Sequence, residues 1–591
     1  LESVYREWVE THPFDKGNGW AQEPWCQEEM SVSETLAKEA AAQSDAAVVI
    51  IGRTAGEDKD NTAKEGSYLL TSQEENLLKT VCTAFSRVIV LLNVGNIIDM
   101  KWVKKYNPAA VLYVWQGGQE GGSGVVDILT GEISPSGKLS DTIAYDIMDY
   151  PSTEGFGDPQ RAIYHEDIYV GYRYFETFSR DKVLYPFGFG LSYTDFKMEC
   201  IEFSVKESDF TEKVLVTNIG NVPGKEVIQI YAEAPQGVLG KATRSLCAFA
   251  KTKNLQPGQS ETLEFVVPFS RLSSYDDSGI TGFRSAYVLE PGRYTIYTGN
   301  SIRNAAISGT FSISETKVLE QLTEACSPVT PFDRIHPVST PVGYRVSYEP
   351  VSLRTYSMKA RSTSDMPISL PFMGDQGWKL GDVLDGKTTL DTFLSQIPDE
   401  DLICLVRGEG MNSPKVTPGT GAAFGGVTDG LLHFGIPVAC CSDGPSGIRM
   451  DCGAMAFSLP NGTLLACTFN EALNEELFAM QGLELRKNRI DTLLGPGLNI
   501  HRNPLNGRNF EYFSEDPLLT GKIAAAQLRG MQRYGTTGTI KHFACNNQEF
   551  HRTEIDSIVS ERALREIYLK AFEIAVKEGD AYFIMTTYGA L

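Results

Sequence analysis

The chain has 591 residues, too many for a single domain, and 42% are apolar, enough to fill large cores and to exclude global disorder. Its net charge of −22 repels phosphate backbones and anionic lipid, which argues against nucleic acid or membrane partners and suits an enzyme acting on a neutral substrate. No run reaches the roughly 18 apolar residues that a membrane span needs, and eleven cysteines without a C-x-x-C pair predict buried free thiols in a reducing compartment, the cytoplasm.

Residues 1–195 read as an α/β unit. Residues 45–52, Asp-Ala-Ala-Val-Val-Ile-Ile-Gly, form a continuous apolar run, typical of a strand buried on both faces of a parallel sheet. A helix over 71–85 comes next, with Leu77, Leu78 and Val81 at helical spacing, then buried strands at 87–93 and 109–115. Loops leave the carboxyl ends of these strands. The first, 52–60, carries Glu57, Asp58 and Asp60; another, 116–122, is rich in glycine but lacks the spacing of a phosphate-binding loop.

Residues 196–316 change character. Strand-like stretches at 214–217, 227–231, 262–267 and 293–297 alternate with Pro-Gly turns, the pattern of a small β-sandwich with a scaffold role. Residues 317–390 are proline-bearing and weakly periodic, expected as a linker that packs across the surface. From 391 to 591 the α/β pattern returns, with strands at 436–441, 492–494, 539–540 and 581–585 and an amphipathic helix over 561–577. Successive βα units of this kind are the first part of a (β/α)₈ TIM barrel. Half a barrel leaves its sheet unclosed, so the remainder is expected from a continuation or a second polypeptide. The polar start at Leu1 and the stop at Leu591, just after an apolar run, lead us to expect a fragment or one of two pieces.

Charged and amide groups concentrate between Gly495 and Arg552, just past buried strands, where parallel α/β folds place their chemistry. Ser442-Asp443-Gly444-Pro445-Ser446-Gly447-Ile448-Arg449 resembles the D-G-P-x-G-x-R motif of the glycoside hydrolase family 3 β-glucosidases. Gly507-Arg508-Asn509-Phe510-Glu511 with Ser514-Glu515-Asp516-Pro517 is similar to the family's G-R-x-F-E-x-x-S-E-D-P, and Lys541-His542-Phe543 to its K-H-F. Tyr185-Pro-Phe-Gly-Phe-Gly-Leu-Ser-Tyr193 resembles the end of the family's sandwich domain. The resemblance implies an α/β sandwich, then a fibronectin-III-like β-sandwich, then the barrel, an order shared with a subset of bacterial members. Most members begin with the barrel.

The resemblance also implies a chemistry. Retaining hydrolysis of a β-glucoside needs two carboxyl groups about 5 Å apart, one attacking and one serving as acid and then base. Asp443 is expected to accept a pair of sugar hydroxyls. Arg449, Arg508, Lys541, His542 and Arg552 are expected to donate to hydroxyls or orient carboxylates, and Tyr588 to sit beside the nucleophile. Lys541 and His542 are neighbours, and strand neighbours face opposite ways, so both reach one sugar only at an irregular strand end. Glu57 is the expected general acid/base, with Asp58, Asp60, Glu65 and Glu120 as rivals. The family's nucleophilic aspartate lies in an S-D-W or S-D-Y motif that these residues do not contain. The expected substrate is a terminal β-glucoside of a cello-oligosaccharide or aryl glucoside. Alternatives are a β-xylosidase or an inactive carbohydrate-binding homologue. No metal or other cofactor is expected, since the seven histidines lack zinc-ligand spacing. A homo-oligomer is possible on sequence alone.

Overall fold

The computed structural model describes residues 2–364 and 366–591. In the first unit, β1 (Ala47–Gly52), β2 (Val88–Asn93) and β3 (Ala110–Tyr113) form a parallel sheet in sequence order, connected by α1 (Ser72–Ala84) and α2 (Lys101–Tyr106). β2 is the central strand, and its Val88, Val90 and Leu92 are buried. β1 differs from expectation. It lies at the sheet edge with one covered face, so Val49 and Ile51 are buried while Val48 and Ile50 are 50% and 58% exposed. The loop after β1 starts from a buried anchor. Arg53 makes a double ion pair with Glu74 of α1, at 2.6 and 2.8 Å, and donates to the carbonyls of Ser67 and Leu69.

The second unit packs two antiparallel sheets face to face. β4 (Phe196–Val205), β5 (Asp209–Asn218) and β8 (Ser260–Pro268) form one; β6 (Val227–Glu233), β7 (Ser245–Lys251), β9 (Gly292–Gly299) and β10 (Ala306–Ile313) form the other. Alternate side chains such as Val214, Val216, Ile228, Ile230, Tyr294 and Ile296 fill the space between them. The 317–390 stretch carries a hairpin, β11 (Asp333–Thr340) and β12 (Gly343–Pro350). It is fastened to its neighbours by the buried Arg334, 2.8 Å from Asp277, and by Phe332 and Val351 packing against Ile558.

The last unit is a five-stranded sheet in the order β13 (Ala422–Gly425), β14 (Val438–Ser442), β15 (Thr492–Leu493), β16 (Thr537–Phe543), β17 (Phe583–Thr586). β13 is antiparallel to β14 and the other pairings are parallel, giving a curled half-barrel sheet. Helices α3 (Glu471–Lys487) and α4 (Pro517–Gln532) pack outside it. The amphipathic stretch expected at 561–577 is not one regular helix. A short turn at 561–563 runs through a π-helical turn into α5 (Lys570–Gly579). The reason is tertiary. Arg562 is buried and spans to the carbonyls of Leu239 and Gly240, while Glu561 is buried and accepts from Ser327.

The half-barrel and the first unit share one apolar core, in which Tyr164, Tyr172 and Phe187 meet Phe513, Leu519 and Tyr568. The cap of α4 shows how the polar groups at this seam are used. Asp516 caps the helix at the Leu519 amide and also accepts from Tyr172 Oη at 2.7 Å and Arg173 at 2.9 Å. This contact is one of several buried polar links between the two lobes, with Thr142–Glu515, Asp141–His501 and Glu166–Arg502. Among the described residues no helix is long and apolar enough to cross a membrane.

Candidate active site

Because β14 to β17 run parallel, their carboxyl ends share one edge of the half-barrel. Asp443 comes directly after β14, where the chain turns sharply. Gly444 has φ of +115°, and a Cβ there would lie 1.8 Å from the Gly447 carbonyl oxygen, so only glycine fits. The turn points the Asp443 carboxylate at Lys541 Nζ, 3.4 Å away, with Arg449 3.8 Å from its other oxygen. Arg449 is held mainly by Asp451, at 2.9 Å.

Lys541 and His542 close β16. The strand end is irregular, with a register shift against β17 and cis peptides at Lys541–His542 and Phe543–Ala544. Both neighbours turn toward the same cluster. Lys541 sits between Asp443 and the buried Glu511, 3.5 Å from the latter. The His542 ring accepts or donates through Nδ1 to Tyr512 Oη at 3.1 Å, and lies 5.6 Å from the Tyr588 ring, centre to centre. His542 Nε2 is buried without a partner among the described residues. Burial, then the charges of Arg508, Lys541 and Arg552, hold this imidazole well below its ordinary pKa, so the ring is neutral.

Arg508 donates through Nε to Glu511 and approaches Glu57 with Nη1 at 3.4 Å. Glu57 arrives from the other lobe, on the loop after β1, and meets Arg552 Nη1 at 2.8 Å. Arg552 lies over the Tyr588 ring, 4.0 Å from its centre, and its Nη2 pairs with Asp58 at 2.7 Å. Asp443, Arg508, Lys541, His542, Arg552, Tyr588 and Glu57 are therefore contiguous, and Arg449 lies at the rim. Of the rival acids, Asp58 faces Arg552, Asp60 accepts backbone amides, Glu65 bonds Ser72 at the start of α1, and Glu120 is exposed beside Ser123.

The electrostatics divide the carboxyls. Burial raises the Asp443 carboxyl, but Lys541, the Gly444 amide and Arg508 together bring it below its ordinary value, so it stands as an acceptor. Burial pushes Glu549 up to about 7 despite the nearby Arg508 and Arg552. Burial also pushes Asp60 up to about 6 against three backbone hydrogen bonds.

Three participants were not singled out in the sequence. Glu511 was visible only as a motif letter. It is buried between two cations. Glu549 was only part of a polar run. Trp20 had no sequence signal. Its indole is 60% exposed, donates to Asp58 at 2.7 Å and lies under Arg449, 5.3 Å from ring centre to guanidinium. Close packing explains Gly117 and Gly118 of the glycine-rich 116–122 loop, while a Cβ on Gly121 or Gly122 would meet open space. A Cβ on Gly118, at φ of +70°, would lie 2.5 Å from the Ser458 carbonyl oxygen of the half-barrel unit.

Comparison with known proteins gives the family of the chain. Residues 26–193 match the glycosyl hydrolase family 3 C-terminal domain, 226–302 a fibronectin type III-like domain, and 429–591 the glycosyl hydrolase family 3 N-terminal domain. The chain is 56% identical over 590 residues to a β-glucosidase of Ruminococcus albus, covering 99% of this chain and 61% of that one. It is 39% identical over 613 residues to β-glucosidase A of Butyrivibrio fibrisolvens, covering 93% of this chain and 72% of that one. The crystal structure of a β-glucosidase from Paenibacillus barengoltzii superposes with a TM-score of 0.98 at 54% identity, covering all of this chain and 65% of that one. The chain thus spans less than two thirds of the Ruminococcus and Paenibacillus proteins.

Proposed function

This chain belongs to glycoside hydrolase family 3, and from that premise we propose that the protein is a retaining, exo-acting β-glucosidase. It removes terminal β-D-glucosyl residues from cello-oligosaccharides or aryl glucosides. One observation carries the reading. Asp443, Lys541, Glu511, Arg508, Glu57 and Arg552, drawn from two lobes, form an unbroken series of contacts none longer than 3.5 Å. A cluster of fixed cations and carboxylates is what a polyhydroxylated ring needs, since a hydrogen bond to a charged group contributes about 1.5–3 kcal/mol.

In this reading Asp443, kept ionised by Lys541, accepts two ring hydroxyls. Arg508 and Lys541 donate, held in place by Glu511. Neutral His542 presents its unpartnered Nε2 to a further hydroxyl. Arg449 and Arg552 border the ring, and Tyr588 packs on Arg552. Glu57 protonates the leaving oxygen and then takes the proton from water. We assign the attacking carboxylate to sequence outside these 591 residues, in a continuation or a second polypeptide. The carboxylates of the cluster already have other tasks: Glu511 orients cations, Asp443 faces Lys541, and Glu549 is tied to Arg552.

The test uses the full-length protein. A 2-fluoro glucoside should trap a covalent adduct on a peptide outside this chain; a label on Asp443 would overturn the assignment. Glu57→Ala should spare aryl glucosides with good leaving groups far more than cellobiose, because only poor leaving groups need the acid. Equal losses on both remove Glu57 from the role. Faster turnover of aryl β-xylosides than of aryl β-glucosides would favour the xylosidase reading, and no turnover of either a binding role.

A further inference from the structure

The loop bearing Glu57 is joined to the half-barrel by contacts that neither sugar binding nor acid/base chemistry requires. Asp60 Oδ1 accepts the amide of Gly507 at 2.9 Å, and Oδ2 accepts the amides of Glu549 at 2.9 Å and Phe550 at 2.8 Å. The exchange runs in the other direction too. Glu549, 2% exposed, accepts the Asp58 amide at 3.1 Å through the same oxygen that takes Arg552 Nη1 at 2.8 Å. Its other oxygen accepts from Asn546 at 2.9 Å. Each segment therefore offers a carboxylate to the other's backbone. Just beyond, the Asn61 amide donates to the Leu505 carbonyl at 2.8 Å.

We propose that Asp60 and Glu549 are positioning residues, a reciprocal clasp that presses the 52–60 loop onto the barrel and so places Glu57 over the sugar. The inference rests on the assignment of Glu57 as the acid/base. Steric contact supports it independently. Gly95 and Gly507 both lie where the loop crosses. A Cβ on Gly95 would meet Ala55 Cβ at 2.7 Å, and one on Gly507 would meet the Lys59 carbonyl oxygen at 1.8 Å. Glu549 also shares Arg552 with Glu57, so one guanidinium links the clasp to the catalytic carboxyl. Without the clasp, the loop keeps its Arg53–Glu74 root but loses the fastening at its far end.

Two readouts in the full-length protein test this. Hydrogen exchange of the 53–61 peptide should accelerate at least tenfold in Asp60→Ala and Glu549→Ala, while the β2 peptide 88–93 is unchanged. The kcat/KM for cellobiose should fall about a hundredfold in Asp60→Ala, with less than a tenfold fall for 2,4-dinitrophenyl β-glucoside, and Asp60→Asn should recover part of the loss. Unchanged exchange of 53–61 in both variants overturns the clasp, as does an equal loss on both substrates in Asp60→Ala when Glu57→Ala discriminates between them. If Glu57→Ala itself does not discriminate, the acid/base assignment fails while the exchange data still decide whether the loop is clasped. Should Asp60→Ala fail to fold, exchange in Glu549→Ala decides alone.

Discussion

Gly507→Ala isolates the seating of the loop from the chemistry of its side chains. Gly507 does not occupy the left-handed region, so alanine is compatible with its backbone, and the new methyl carries no charge. Its only consequence is steric. The Cβ would lie 1.8 Å from the Lys59 carbonyl oxygen, and contacts below 3.0 Å are essentially never seen, so the two backbones must part by about 1.2 Å. The obstacle is main chain on both sides, with no flexible side chain to swing away.

Either partner can yield, and both carry the site. If the loop retreats, Glu57 retreats with it. If Gly507 retreats, it moves Arg508, whose guanidinium meets both Glu511 and Glu57. A misplacement near 1 Å at a reacting group costs on the order of a hundredfold in rate. We predict a fall of about that size in kcat/KM for cellobiose with the full-length protein, and a smaller fall for 2,4-dinitrophenyl β-glucoside if it is the loop that moves. A comparable fall for both would identify Arg508 as the displaced group. Wild-type activity on cellobiose would refute the reasoning, since the loop could not then lie where these distances place it.

Asp443→Asn removes a charged acceptor for two hydroxyls, and at about 1.5–3 kcal/mol each the expected fall in kcat/KM is about a hundredfold to ten-thousandfold, measured on an aryl β-glucoside. Glu74→Ala leaves the buried Arg53 without its carboxylate, and truncating one partner of such a pair typically costs about 3–5 kcal/mol; a clear drop in melting temperature is expected, with the 53–61 peptide among the first to exchange. His542 has a folded-state pKa depressed below its unfolded value of 6.5 by burial, then by Arg508, Lys541 and Arg552. Its contribution is thus fully present above pH 6.5 and declines as pH falls below it. The fall in melting temperature from pH 7.5 to 5.5 should therefore be shallower in His542→Gln than in the wild type, and parallel curves would argue against a neutral ring.

Four of the five half-barrel strands were legible because burial leaves a compositional mark; the edge strand β13 was not. The runs ending at Cys441 and Ile540 are apolar, and Ser442-Asp443 and Lys541-His542 come just past them, so the strand edge and its attached groups could be read together. The same logic misled at β1. A continuous apolar run suggested two covered faces, but apolar content does not record how many layers a sheet receives, and Val48 and Ile50 are exposed. The 561–577 helix shows the complementary failure. Its periodicity predicted one regular helix, whereas the buried partners of Glu561 and Arg562 lie over 200 residues away in sequence and impose a π-helical turn.

Side chains that act through backbone partners were the least legible. Asp443, Arg508 and Lys541 belong to motifs whose residue types are those the proposed sugar ring would require. Asp60 and Glu549 face peptide amides, which every residue but proline supplies, so no pattern in the partner sequence announces the contact. Glycine is the exception. Gly507 and Gly95 are needed because another segment's backbone or side chain occupies the space of a Cβ, and both border the 52–60 loop. Here the glycine next to the charged motif residue Arg508 marks the place where a second segment crosses the site. At this seam the crossing segment carries Glu57, the carboxyl proposed as acid and base, and the seating of its loop sets its distance from the half-barrel.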